Sequence, residues 1–361
     1  MYGIREVLLR QERNDYSEHL SQAPFELDCS MGSNPYGFCP GVSFDAGLFT
    51  EVVEYPHSDD GIKDAIIEAN AGTVALGREN ILLTCGSIGA ILALNRMVLC
   101  PGKVVLGLAP QFSAVVDDFV TYETLYRPVY LRPERNYAFD LGEFLEAMRA
   151  NPGAYIYIDN PNNPTGQVIP LADAERIVSL ARELDSFVVL DEAYGDYMPP
   201  EESAMHLVGK YDNLAVMRTF SKGMGAAGIR LGYILAHPAV IAAAGKVNVP
   251  YSKNELAGRI AEELIRHDWA GQCRERVAAD KPRMLASLKK LKYAETCMSV
   301  PITMLYTDDE SVDLCAVLER AGIRAITCEG YEGLGKNGVR LNIHKDIDRL
   351  IELLSAAEDL L

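Results

Sequence analysis

The chain has 361 residues, 48% of them apolar and 24% charged, which is enough to bury a sizeable core and to form two packed lobes. Thirty-four basic side chains against fifty-one acidic ones give a net charge of −17, so phosphate backbones and anionic lipid surfaces would repel it, which argues against nucleic acid and membrane as partners. The eight cysteines form no Cys-x-x-Cys pair and the six histidines show no metal-ligand spacing, a pattern that points to reduced thiols in a cytoplasm and to no metal site. Met1 to Tyr16 mixes charges with leucines, unlike the apolar core of a signal peptide, and no later run has the length of a membrane span.

From about residue 60 to 240 the apolar pattern alternates between helix and strand. Asp60 to Ala71 predicts a helix and Ile81 to Thr84 a short strand. Ser87 to Cys100 is apolar almost all round, the pattern of a buried helix. Val104 to Leu108 predicts another strand, followed by a helix around Leu141 to Ala150 and a strand over Ala154 to Ile158. Leu171 to Leu184 is amphipathic, with Ala174, Ile177, Val178, Ala181 and Leu184 on one face. Strands over Phe187–Leu190, Leu214–Met217 and Leu231–Leu235 complete the set. Short, nearly continuous apolar runs between helices predict an α/β fold with a mostly parallel sheet flanked by helices.

After Pro250 the texture changes. Asn254 to His267 and Arg274 to Leu291 predict long charged helices, with shorter strands at Thr303–Tyr306 and Ala325–Thr327 and helices at Val312–Ala321 and Ile347–Leu361. This predicts a smaller α+β domain. The expected division is a large domain over 46–252 and a small one over 1–45 plus 253–361.

In such a sheet, ligands bind outside the carboxyl ends of the strands. Asn163, Asp191 and Lys222 all follow or end predicted strands. A lysine after a strand is ordinarily a solvated cap, but an amine held partly neutral can attack a carbonyl and form a Schiff base. Asp191 ends a β-branched run, where an unpaired carboxylate is costly; a protonated pyridine nitrogen would pair with it, and so would a helix N-cap or a core ion pair. Asn163 and Tyr194 can hydrogen-bond a ring oxygen, although Asn-Pro-Thr-Gly also makes a good turn by itself. Gly86, Ser87 and Ile88 lead from a strand into a helix, where free N–H groups favour an anion. Arg230, with the hydroxyls of Thr219 and Ser221, would complete a phosphate cradle. Phe112 could cover a ring or fill core. Arg340, in Gly338-Val339-Arg340-Leu341-Asn342, suits a planar two-pronged contact with a carboxylate.

Together, Asn160-Pro161-Asn162-Asn163-Pro164-Thr165-Gly166, Asp191-Glu192-Ala193-Tyr194, Thr219-Phe220-Ser221-Lys222, Arg230 and Arg340 resemble the fold-type I pyridoxal phosphate enzymes, the class I/II aminotransferases, over nearly the whole chain. The resemblance implies pyridoxal 5'-phosphate as cofactor, covalently held by Lys222, with Asp191 on the pyridine nitrogen and Asn163 and Tyr194 on the ring oxygen. It places Gly86, Ser87, Ile88, Thr219, Ser221 and Arg230 around the phosphate, Phe112 over the ring, and Arg340 with Asn163 at the substrate carboxylate. It further implies a homodimer in which Tyr55, of Glu54-Tyr55-Pro56, reaches the partner subunit's phosphate. The stretches Asn34-Pro35-Tyr36-Gly37, Tyr55-Pro56 and Pro250-Tyr251-Ser252 are similar to the histidinol-phosphate aminotransferase group. Two positions depart from that group. Ile88 stands where a hydroxyl or acidic residue is usual. Gly322-Ile323-Arg324-Ala325-Ile326 carries its arginine two residues earlier than the group's phosphate-binding arginine, on the same face by strand alternation.

The implied activity is transfer of an amino group between an amino acid, with histidinol phosphate or an aromatic amino acid as candidates, and a 2-keto acid. The same motifs would serve a decarboxylase resembling threonine-phosphate decarboxylase, or a β-eliminating lyase. A non-catalytic ligand-binding module would be expected to have lost Lys222 or Asp191, and this chain keeps both.

Overall fold

The computed structural model describes residues 2–11, 24–43, 46–56 and 58–361. A short helix, α1 (Glu6–Arg10), and a two-residue strand, β1 (Leu27–Asp28), precede the main body. The large sheet and its helices then run α2 (Asp60–Asn70), β2 (Ile81–Thr84), α3 (Gly86–Val98), β3 (Val104–Ala109), α4 (Ser113–Thr121), β4 (Leu125–Tyr130), α5 (Leu141–Arg149), β5 (Tyr155–Asp159), α6 (Leu171–Glu183), β6 (Phe187–Asp191), β7 (Leu214–Thr219), β8 (Gly232–Ala236) and α7 (Pro238–Gly245). The remainder comprises α8 (Glu255–Arg266), α9 (Trp269–Ser287), β9 (Lys292–Tyr293), β10 (Ile302–Tyr306), α10 (Leu314–Arg320), β11 (Ile323–Arg324), β12 (Ile326–Thr327), β13 (Gly338–Asn342) and α11 (Ile347–Asp359).

The seven-stranded sheet has the order β2-β8-β7-β6-β5-β3-β4. It is parallel except for β8, which runs antiparallel to both neighbours. Helices cover both faces, which is why the strands read as unbroken apolar runs. Tyr155, Tyr157, Val189, Ala215 and Met217 pack toward α3 and α4, against Ile91, Leu94, Val115 and Phe119. The alternate residues Ile156, Ile158, Val188, Leu190 and Val216 join the opposite core with Phe144, Met148, Ile177 and Val178 of α5 and α6. Each such side chain contributes roughly 1.5–3 kcal/mol when fully buried.

Five elements differ from the sequence expectation. β4 was not anticipated. It carries Pro128 and alternates exposed with half-buried positions, which an edge strand tolerates because one side needs no ladder donors. The helices α4 and α7 are likewise additions. α3 is buried on one side only, since Leu92 is 46% exposed. The run Ala325–Thr327 is not one strand: β11 pairs in parallel with β1, whereas β12 pairs antiparallel with β13, and the chain changes sheets at Ala325.

A four-stranded sheet, β12-β13-β10-β9, forms the second unit. The β1–β11 pairing brings the N-terminal segment to it. Lys281, completely buried in α9, donates to Thr296 Oγ1 and to the carbonyls of Cys297, Val300 and Ile302 at 2.6–2.9 Å, fastening the helix to the loop before β10. All eight cysteines are unpaired. Among the described residues no helix is long and apolar enough to cross a membrane.

Candidate active site

β5, β6 and β7 lie side by side, and their carboxyl ends present Asp159, Asp191 and Thr219. Asp191 is buried. Its Oδ2 accepts the Tyr157 hydroxyl at 2.5 Å, and its Oδ1 accepts the Ala193 N–H at 2.9 Å. Burial pushes its carboxyl up to about 6, against these two donors, which favour the ionised form. Asp159 stands directly opposite Asp191 in the strand register. Burial is also the main reason its carboxyl rises to about 7, with the neighbouring Asp191 charge adding to the effect.

Lys222 follows β7, and its Nζ lies 5.1 Å from the centroid of the Tyr194 ring. Gly32 closes over the pair. A Cβ at that position would come within 1.9 Å of Tyr194 Oη and 3.2 Å of Lys222 Nζ, so any larger residue would fill the space between strand ends and N-terminal segment. The Asp191-Glu192-Ala193-Tyr194 turn rests on a buried ion pair. Arg218 Nε donates to Glu192 Oε2 at 2.8 Å, and Arg218 Nη1 donates to Asp196 Oδ1 at 3.1 Å. Glu192 also accepts the Ser203 hydroxyl and the Ala204 N–H.

Gly86 opens α3 with a φ of +68°, which favours glycine, and a Cβ there would meet Arg230 Nη2 at 2.8 Å. The first turn of α3 has no side-chain cap. Ser87 is half-buried in it, and Ile88 packs against the α3–α4 core. Thr219 Oγ1 and Ser221 Oγ are 3.0 Å apart. Arg230 itself is exposed, with Nη1 on the Ala227 carbonyl. A glycine turn, an uncapped helix terminus, a guanidinium and hydroxyls one strand away form a site suited to an anion.

Arg340, in β13, reaches back across the two units. Its Nη2 donates to the Ser30 carbonyl at 2.7 Å, and its Nη1 lies 3.3 Å from both Asn163 Oδ1 and the Tyr331 hydroxyl. Tyr331 in turn donates to Asn163 Oδ1 at 3.0 Å. The Nε of Arg340 is buried with no hydrogen-bond partner among the described residues. Burial pulls the Arg340 pKa down and the phenols of Tyr331 and Tyr194 pull it up; the balance lies above the ordinary value, and the side chain stays a cation.

The structure therefore sets Lys222 against Tyr194, joins Asn163 to Arg340, and pairs Gly86 with Arg230, while Asp191 is held by Tyr157 and Ala193. Phe112 precedes α4 with its N–H on Asp159 Oδ2 at 3.1 Å. Tyr55 stands apart: it is 70% exposed and packs on Tyr251 with ring centroids 4.6 Å apart. Arg324 does not share the face of Arg340. The strand is interrupted at Ala325, which leaves Arg324 over the Phe25 ring at 3.7 Å and 3.6 Å from Asp28, while Ile326 occupies the register position opposite Arg340. Sequence reasoning missed Gly32, Tyr157, Asp159 and Tyr331. Tyr157 and Asp159 had a legible signal, since polar atoms recur at every second residue of an otherwise apolar strand. Tyr331 had none.

The family model for aminotransferase class I and II matches residues 44–355. A histidinol-phosphate aminotransferase of Corynebacterium glutamicum is 32% identical over 306 residues, 81% of each chain. One of Chromobacterium violaceum is also 32% identical, over 84% of this chain and 83% of that protein. Among solved structures, a histidinol-phosphate aminotransferase of Sinorhizobium meliloti in complex with pyridoxal-5'-phosphate superposes with a TM-score of 0.80 at 19% identity, covering 100% of this chain and 99% of that one. A Thermus thermophilus aspartate aminotransferase mutant gives 0.80 at 18% identity over the whole of both chains.

Proposed function

The chain belongs to the class I and II aminotransferases and depends on pyridoxal phosphate, and from that premise we propose that Lys222, Asp191 and Arg340 form a site that moves an amino group from an amino acid to a 2-keto acid. The observation that carries this reading is the cluster itself: an amine beside a phenol, a buried carboxylate one strand away, and a half-buried guanidinium whose buried Nε has no partner among the described residues.

The residues fit the cofactor. Asp191 supplies the anion that a pyridine N–H needs, and the Tyr157 hydroxyl keeps part of its charge in place as burial raises its pKa. Asn163 and Tyr194 would donate to the ring oxygen. Gly86, Ser87, Ile88, Thr219, Ser221 and Arg230 would hold the phosphate, and Phe112 would cover the ring. When bound, pyridoxal phosphate supplies an aldehyde that takes up an amine and a cationic ring that withdraws electrons from the substrate's α-carbon. Lys222 Nζ would hold the cofactor, and its free amine would serve as the base that takes the proton from the substrate Cα. Arg340 grips the α-carboxylate and so fixes which Cα bond faces Lys222.

The proposal extends to a cytoplasmic homodimer with lobes over 46–252 and 1–45 plus 253–361, the boundary residues 44 and 45 lying outside the described set. Tyr55 and Tyr251, with exposed Phe49, Val52, Val53 and Val249 around them in sequence, offer the apolar surface a second copy would cover, with Tyr55 turned to the partner's phosphate.

The test is a spectral titration of the purified enzyme with a panel of amino donors that includes histidinol phosphate, glutamate and aromatic amino acids. Transamination predicts that the yellow cofactor absorbance bleaches with one class of donor and returns with a 2-keto acid. Carbon dioxide or ammonia appearing with no bleaching would point instead to a decarboxylase or lyase.

Tyr331→Phe tests the carboxylate grip. Removing the hydroxyl that links Arg340 to Asn163 is expected to raise KM for carboxylate substrates about 5- to 10-fold, the scale of one ordinary intramolecular hydrogen bond, while kcat changes less. An unchanged KM in steady-state kinetics would show that Arg340 is held without it.

A further inference from the structure

β5 ends on a carboxylate for which the reaction has no direct use. Asp159 is 3% exposed and spends both oxygens on the loops around it. Its Oδ2 accepts the Phe112 N–H at 3.1 Å and the Asn163 N–H at 2.9 Å, and its Oδ1 accepts Asn162 Nδ2 at 3.1 Å. The same Asn162 amide donates to the Pro110 carbonyl at 3.0 Å, so a second tie joins the two loops one residue further out. The loop between β3 and α4 bears the side chain assigned to the ring face, and the loop between β5 and α6 bears the one assigned to the ring oxygen.

The choice of an acid at this position has a chemical reason. Three donors converge on it, and among side chains of this size only a carboxylate offers two oxygens that both accept and no hydrogen that would oppose an N–H. A neutral asparagine could satisfy one side and would turn an NH₂ toward the other. Burying a second carboxylate beside Asp191 is costly, and an apolar or amide residue would avoid that cost if the position served packing alone.

We propose that Asp159 is a positioning residue for the cofactor ring: it ties the Phe112 turn to the Asn163 turn across the carboxyl end of β5 and so sets the width and tilt of the slot between ring cover and ring-oxygen ligand. The proposal rests on the assignment of Phe112 and Asn163 to the ring. Asp159 touches neither cofactor nor substrate and acts through these two backbone amides.

Asp159→Ala removes the oxygen that the Phe112 and Asn163 amides share. The variant is expected to fold as apoprotein, to bind pyridoxal phosphate at least about tenfold more weakly in equilibrium dialysis, the scale of a buried amide left without its acceptor, and to give an altered visible circular-dichroism band of the bound cofactor. A purely structural role would move the melting temperature and leave the band alone. A folded variant with wild-type affinity and an unchanged band overturns the proposal. Hydrogen exchange on the wild-type apoprotein gives a second measure that needs no variant to fold. The Phe112 and Asn163 amides should be protected together and to a similar degree; free exchange at both sinks the clamp. Asn163→Ala, measured alongside, addresses the underlying assignment separately, since an unchanged band in that variant means Asn163 does not meet the ring, whatever Asp159 does.

Discussion

Lys222→Ala is expected to leave a folded protein with about 10²- to 10⁴-fold less transaminase activity, from the loss of general acid–base catalysis alone. Lys222 is half-buried at the end of the β7 loop, and among the described residues its Nζ makes no hydrogen bond or ion pair, only the 5.1 Å approach to the Tyr194 ring. Its removal therefore breaks no part of the scaffold, and Asp191, Asn163 and Arg340 keep the partners that hold them. The variant loses both the amine that holds the cofactor and the base that reaches the substrate Cα. Single-turnover kinetics with an amino donor, together with a thermal melt, check the two halves of the statement. Full activity would remove Lys222 from the reaction, and collapse of the fold would make it a structural residue.

Arg218→Ala is expected to act on stability, and by more than any surface substitution. Arg218 bridges Glu192 and Asp196 behind the turn that carries Asp191 and Tyr194, with side chains 10%, 0% and 13% exposed. Removing one partner of a buried pair leaves the other charge uncompensated, at a cost of about 3–5 kcal/mol. Glu192 already has its pKa raised, burial being the largest cause and Arg218 the main opposing one, so loss of Arg218 raises it further. A carboxyl with a raised folded-state pKa contributes stability below its unfolded pKa and loses that contribution as pH rises through the folded value. The gap between variant and wild type should therefore be smallest at acid pH and widen toward neutrality. Denaturant melts at a series of pH values measure this directly; a gap that narrows as pH rises would contradict the ion-pair account.

How much of this could be seen without coordinates varied by element. The strands β2, β3, β5, β6, β7 and β8 were legible because burial leaves each a short run that is mostly apolar. β4 was not, because an edge strand beside Pro128 alternates weakly and resembles a loop. Arg324 was misplaced by an argument from strand alternation, which assumes a continuous strand. The strand is interrupted at Ala325, and the Arg324 side chain ends on Asp28 and Phe25.

The residues proposed to carry chemistry were legible in the sequence alone, since Asn163, Asp191, Tyr194, Lys222, Arg230 and Arg340 stand in a fixed order near the ends of readable strands. Local chemistry of that kind needs only residue type and order along the chain. The supporting residues were decided by tertiary structure. Tyr157 meets Asp191 because β5 and β6 are neighbours in register, Asp159 joins two loops because both fold over one strand end, and Tyr331 meets Arg340 where the loop before β13 turns back over that strand. Those contacts depend on which strands become neighbours and how loops return over them, and pairing of that range leaves no local trace in the order of the amino acids.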